Sequence, residues 1–159
     1  MTISLREIKN KFYLSSNTIL SRLGCSATEN IVLKIVNSQG LQSLIYGTIA
    51  LSLTDTELRC LDFVYNSVFV KLFKVKSIEN IRLCQYYSGH LPFSYVYELQ
   101  RYKFLKSIIN REWLHTVCKI DESDYRDFQR IHTKFNLSTF DSPRLILCKF
   151  WDYFSKNVI

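Results

Sequence analysis

The chain has 159 residues, 47% hydrophobic and 22% charged, with 2 Trp, 10 Tyr and 11 Phe; one domain of this size buries about two thirds of its unfolded surface, and a disordered or fibrous chain is excluded. Only 4 Gly and 2 Pro are available for turns, too few for an all-β or doubly wound sheet, so the expected fold is all-α, a bundle of about seven to eight helices. Net charge is +7, and the 5 Cys at positions 25, 60, 84, 118 and 148 include no C-x-x-C pair, which excludes a disulfide framework and a zinc knuckle and predicts reduced, buried thiols in an intracellular protein, cytoplasmic or nuclear.

Leu5, Ile8, Phe12, Ile19 and Leu23 recur at helical steps and predict a first helix of about twenty residues, stopped by Gly24. Arg6, Glu7, Lys9 and Lys11 interrupt this stretch before an apolar run can form, so neither a secretory signal nor a membrane anchor is expected. Ser26 or Thr28 caps a second helix, apolar along Ile31, Val32, Ile35 and Val36 and ending near Gly40. Residues 41–53 are apolar on nearly every side and read as a third, buried helix, with strand as the competing reading for so short a run. Thr54-Asp55-Thr56-Glu57 has the form of a capping box and opens a fourth helix through about Val75. Its Leu58, Leu61, Tyr65, Val68, Leu72 and Val75 form a stripe, widened by Phe63, Val64, Phe69, Val70 and Phe73 until only Arg59, Asp62, Asn66 and Lys74 hold a polar edge. Such a helix belongs at the centre of a bundle.

Ser77 caps a fifth helix carrying Ile78, Ile81, Leu83 and Tyr86, halted by Gly89 and Pro92. Beyond Pro92, Val96, Leu99, Tyr102 and Ile109 lie toward one side of a sixth, with Trp113, Leu114 and Val117 continuing after a break near Asn110. Asp121 and Asp124 take the cap and third positions of a helix through about Phe135, and a last helix opens at Asp141 or Ser142 with Pro143 at its first position. The expected organisation is a bundle over residues 1–110 with a C-terminal extension over 111–159 packed on it, or one domain throughout, and residues 136–142 are the best place for a joint.

No nucleophile elbow, phosphate loop, zincin motif or dinucleotide turn is present. His115 and Cys118 stand one helical turn apart and offer two metal ligands, but no other pair lies at a sensible spacing. The acids of Asp121-Glu122-Ser123-Asp124 are better explained as a helix cap than as a magnesium site. No catalytic residue, metal or cofactor is therefore expected. The charge is informative through its placement: residues 71–111 hold Lys71, Lys74, Lys76, Arg82, Arg101, Lys103, Lys106 and Arg111 against Glu79 and Glu98, whereas residues 121–159 balance to zero. These eight cations are the candidate nucleic-acid contacts, expected to converge on one groove, and QRYKFLK at 100–106 interleaves bases with aromatic rings as such a surface would. The plainer reading packs Tyr102 and Leu105 inward and leaves Arg101 and Lys103 in solvent.

The order of these pieces resembles the region that follows the palm in reverse transcriptases of non-LTR retrotransposons, the long interspersed elements. Phe12, Tyr13, Asn17, Ile19 and Leu20 match its first helix; Leu44, Tyr46, Gly47 and Ala50 its next segment; Glu57, Leu58, Leu61, Asp62, Asn66, Lys71 and Phe73 its third; and Leu99, Arg101, Lys103, Phe104 and Leu105 a short basic helix. The resemblance spans about residues 8–109 and implies the helical thumb, which in that family holds the template–primer duplex against the palm. The family's F/Y-x-D-D motif, fingers and endonuclease do not occur in these residues, so no polymerase activity is expected of the chain alone. The implied partners are an RNA–DNA or RNA duplex, contacted through its backbone, and a reverse transcriptase palm. The alternative is a transposon-derived protein-interaction module or an inert relic that exposes its palm-facing side.

Overall fold

The computed structural model describes residues 5–23, 26–49, 51–110 and 121–158, and they are all-α, with no strand among them. Helix α1 (Leu5–Leu23) buries Ile8, Phe12, Ser16 and Ile19. It lies against a continuous helical rod in which α2 (Glu29–Ile35) passes through a π-helical turn (Val36–Leu41) into α3 (Gln42–Thr48). The helix therefore does not end at Gly40, as the sequence predicted. Gly40 is buried, and a Cβ there would stand 3.2 Å from the Phe12 ring; one on Gly47 would stand 2.8 Å from Ile8 Cδ1. Both glycines serve close helix approach rather than chain reversal. The segment read as helix or strand is helical through Thr48, whose hydroxyl donates to Leu44 O at 2.8 Å.

Residues 51–54 lead into the next helix without helical structure of their own, and Tyr97 on α6 (Phe93–Ile109) bonds their backbone. Tyr97 Oη donates to Leu51 O at 2.5 Å and accepts from Leu53 N–H at 3.2 Å. Helix α4 (Asp55–Phe73) opens on the predicted capping box, with Glu57 N–H donating to Thr54 Oγ1 at 3.3 Å and Thr54 N–H to Glu57 Oε2 at 2.9 Å. It stops two residues short of the expected Val75, at Lys74, which takes the left-handed conformation (φ 56°). Helix α4 packs against α1, α6 and the helix that follows it, α5 (Ile78–Tyr87), and Phe12, Tyr65 and Phe69 form successive ring contacts at its centre. Its expected polar edge is corrected in detail. Asn66 is buried and accepts from Gln85 Nε2 at 2.8 Å, and Asp62 accepts from Ser94 N–H at 2.9 Å. Phe63, counted with the inward stripe, points outward and is 72% exposed.

Helix α5 (Ile78–Tyr87) starts at Ser77 as expected, although the Ser77 side chain makes no cap hydrogen bond. Helix α6 (Phe93–Ile109) is a shared wall: Phe93 and Tyr97 enter a first core built by α1 to α5, while Leu99 and Tyr102 enter a second. The second core is completed by α7 (Glu122–Lys134) and α8 (Pro143–Val158) with Ile131, Phe135, Leu137, Ile146, Phe150 and Phe154. Asp121 and Asp124 form a full capping box at the start of α7, Pro143 is the first residue of α8, and Ser142 Oγ accepts from Leu145 N–H at 3.3 Å. Residues 136–142 are the joint between these helices. The expected Gly24 stop, the continuation through Trp113, Leu114 and Val117, and Cys25 and Cys118 lie outside the described residues. Cys60 and Cys148 are free thiols but exposed, contrary to the expectation of burial; each sits on the solvent side of its helix. No described helix is long and apolar enough to cross a membrane.

Candidate nucleic-acid interface

The eight predicted contacts separate into groups. Arg101 is not one of them: it is 1% exposed, with its guanidinium inside the protein. Its Nη1 donates to Ile49 O at 3.1 Å and its Nη2 to Ser52 Oγ at 2.8 Å, and Nη2 also pairs with Asp124, while Asp127 stands at 3.8 Å. The physical reason is the position of Arg101 one turn beyond Tyr97, which places it over the carbonyls left open where α3 ends. The same Asp124 that completes the α7 cap neutralises it. Neither sequence reading placed Arg101 there, although the inward packing of Tyr102 and Leu105 holds, both being 0% exposed.

A second pair of opposite charges lies alongside. Glu98, 2% exposed, accepts from Arg130 Nη1 at 3.0 Å and from Lys134 Nζ at 2.8 Å. Together Glu98 and Arg101 on α6 face Asp124, Asp127, Arg130 and Lys134 on α7, so this part of the excess positive charge is consumed in joining the two helices. Lys106 is half-buried and donates to Asp141 O at 3.2 Å, at the joint before α8. Lys103 is half-buried beside it on α6, and Arg111 lies outside the described residues. The single convergent groove is thus corrected: burial and internal acids withdraw Arg101, and a backbone carbonyl at the joint before α8 ties down Lys106.

The other four stay on the surface. Lys71, Lys74, Lys76 and Arg82 are exposed on α4, α5 and the short joint between them, and Lys71 Nζ donates to Asn17 Oδ1 on α1 at 2.7 Å. Around them the surface is shaped by Phe63, which borders three separate hollows. One, of about 390 Å³, runs between α4, α5 and the end of α8 and contains Arg59, Asp62 and Arg82. The second, of about 520 Å³, lies between α1 and α4 and contains Arg6, Lys9 and Arg59. The third, of about 460 Å³, is a mostly apolar trough between α4 and α5 with Lys71 and Lys76 on its rim and Val70, Ile78 and Ile81 within. Sequence reasoning missed Phe63, Arg59, Arg6 and Lys9. The signal was present: Arg59 and Phe63 are four residues apart on α4, on the side turned away from Leu58, Leu61 and Tyr65.

The three hollows are lined by six cations and one partly buried acid, Asp62, while Glu79 lies exposed on α5. Burial pushes the Asp62 carboxyl up from its ordinary value, against the Ser94 hydrogen bonds and the nearby Arg82 charge, which pull it down. Among the described residues no three of His, Cys, Asp and Glu gather as a metal ion would require, and the His115–Cys118 pair lies outside them. An exposed ring ringed by guanidinium and ammonium groups can stack on a base or sugar and hold phosphates through charge. No protein-family model, curated protein or solved structure matches the chain.

Proposed function

We propose that this protein is a non-catalytic helical module that binds the backbone of an RNA–DNA or RNA duplex through the outer face of α4 and α5, in the manner of the polymerase thumb that residues 8–109 resemble. The observation that carries the reading is the exposed Phe63 with Arg59, Lys71, Lys76 and Arg82 about it on the two helices and the joint between them. Lys74 and Lys103 are outlying contacts in this reading, and Arg101 is a structural residue. Contacts of this kind position a duplex without reading its sequence, and the partner that would supply catalysis is a reverse transcriptase palm inside the cell.

The test is duplex affinity across a salt series. For each phosphate neutralised, log affinity falls against log salt with a slope of about 0.9, so a face with three to four contacts predicts a steep line. Reversing Lys71, Lys76 and Arg82 to Glu is expected to flatten the line and weaken binding at least roughly tenfold. A flat line for the unaltered chain, or no change on reversal, contradicts the proposal. The apolar trough of Val70, Ile78 and Ile81 favours a second reading as a protein-interaction module; concentration-dependent sedimentation in the absence of duplex, with no shift on adding it, would support that one instead.

A further inference from the structure

The hollow between α4, α5 and α8 carries more than charge. Its volume of about 390 Å³ lies in the range of sites that hold a small ligand. One wall is the Phe63 ring, and its rim bears Arg59 and Arg82. Deeper inside, Gln85 Nε2 donates to Asn66 Oδ1, and the Gln85 carbonyl and Asn66 amino group keep hydrogen-bonding capacity of their own. Ser94 bonds the Asp62 carboxylate through the backbone N–H at 2.9 Å and through its side chain, and a carboxylate has roughly four acceptor positions. The opposite wall comes from the last turn of α8, with Phe154 and Val158, so the C-terminal extension helps to build the hollow.

This combination discriminates among occupants. An acidic peptide would suit the arginines but would set its carboxylates against Asp62, and a basic one would meet the arginines. A nucleotide with an exocyclic amino group complements both, because its phosphate faces guanidinium groups while its amine faces a carboxylate. A base within a duplex has that amine engaged and its faces covered. Resting on the duplex-backbone reading above, we propose that this hollow takes one unpaired base of the bound nucleic acid, stacked on Phe63 with its amino group donating to Asp62 and its phosphates against Arg59 and Arg82. The occupied surface would then sit where a duplex passes into single strand.

Fluorescence anisotropy with short oligo-dC, oligo-dT and a blunt duplex of equal length tests this. Oligo-dC is expected to bind roughly tenfold tighter than oligo-dT, since thymine has no exocyclic amine. Phe63→Ala is expected to weaken single-strand binding roughly tenfold, several-fold more than it weakens the blunt duplex, which borders the same ring without stacking on it, and Phe63→Trp to retain single-strand binding. Asp62→Asn should erase the preference for oligo-dC; because Asp62 also holds Ser94, the preference of the unaltered chain and the two Phe63 variants decide the matter if Asp62→Asn loosens the fold. Equal binding of oligo-dC and oligo-dT, or no effect of Phe63→Ala, overturns the inference while duplex binding stands. Loss of duplex binding in the unaltered chain overturns the underlying reading as well. Competition by CMP as potent as the strand itself would overturn the strand-bound form in favour of a free nucleotide.

Discussion

Arg101 shows how a single side chain can join three parts of a small protein. Its guanidinium reaches Ile49 O, Ser52 Oγ and Asp124 at once, so α6, the turn after α3 and the start of α7 are coupled through one planar group. Removing it leaves an open backbone carbonyl and an acid without its counter-charge. Arg101→Ala is therefore expected to destabilise the fold by about 3 kcal/mol, read as a lowered urea midpoint with unchanged slope. Arg101→Lys should recover little, because one ammonium cannot reproduce the fork. Adding Asp124→Asn to Arg101→Ala should cost less than the two single changes summed. Where the variant is still folded, its affinity for a duplex should match that of the unaltered chain; a selective loss of binding would return Arg101 to the interface. The sequence shows a basic residue amid aromatics here, and the bare pattern cannot say which charges meet an acid 23 residues away.

At the level of elements, local chemistry was the most legible part of the sequence. The capping boxes at Thr54–Glu57 and Asp121–Asp124 form as read, because their partners are only three residues apart. Gly40 was misread for the opposite reason: whether a glycine ends a helix or admits a neighbour depends on Phe12, far away in the chain. The close approach of α1 gives a direct test. Gly47→Ala brings a methyl to 2.8 Å from Ile8 Cδ1 and should cost about 1–2 kcal/mol despite its better helix propensity. Ile8→Val removes the clashing methyl, so the double variant should regain part of that loss, as thermal melting would report. The α7–α8 joint adds a pH dependence. Lys149 Nζ and Ser138 N–H each donate to Asp141 Oδ2 at 2.7 Å, and these bonds hold the Asp141 carboxyl below the ordinary carboxylate value. A depressed carboxyl contributes stability above its unfolded pKa of about 3.9 and loses it as pH falls through the lower folded value. Carboxyl-resolved NMR titration should place Asp141 below that value, and Lys149→Met should raise it.

For the whole molecule, composition dictated the all-α class, whereas the distribution of charge over the surface required the fold. Half-buried Lys106 and buried Arg101 contribute to the net charge of +7, yet they serve the α6 to α8 assembly. What remains outward is a cationic patch on α4 and α5 centred on Phe63, a residue that an over-wide apolar stripe had assigned to the core. Helical periodicity alone separates the two sides of α4, and the outward position of Arg59 follows from the same geometry. The most direct measurement of where a nucleic acid touches the protein is an NMR titration of the labelled chain with an RNA–DNA duplex. We expect the largest shifts at Arg59, Phe63, Lys71, Lys76 and Arg82, with Glu98, Arg101 and Asp124 unmoved; shifts concentrated along α6 and α7, or none at a duplex concentration well above the protein's, would contradict it.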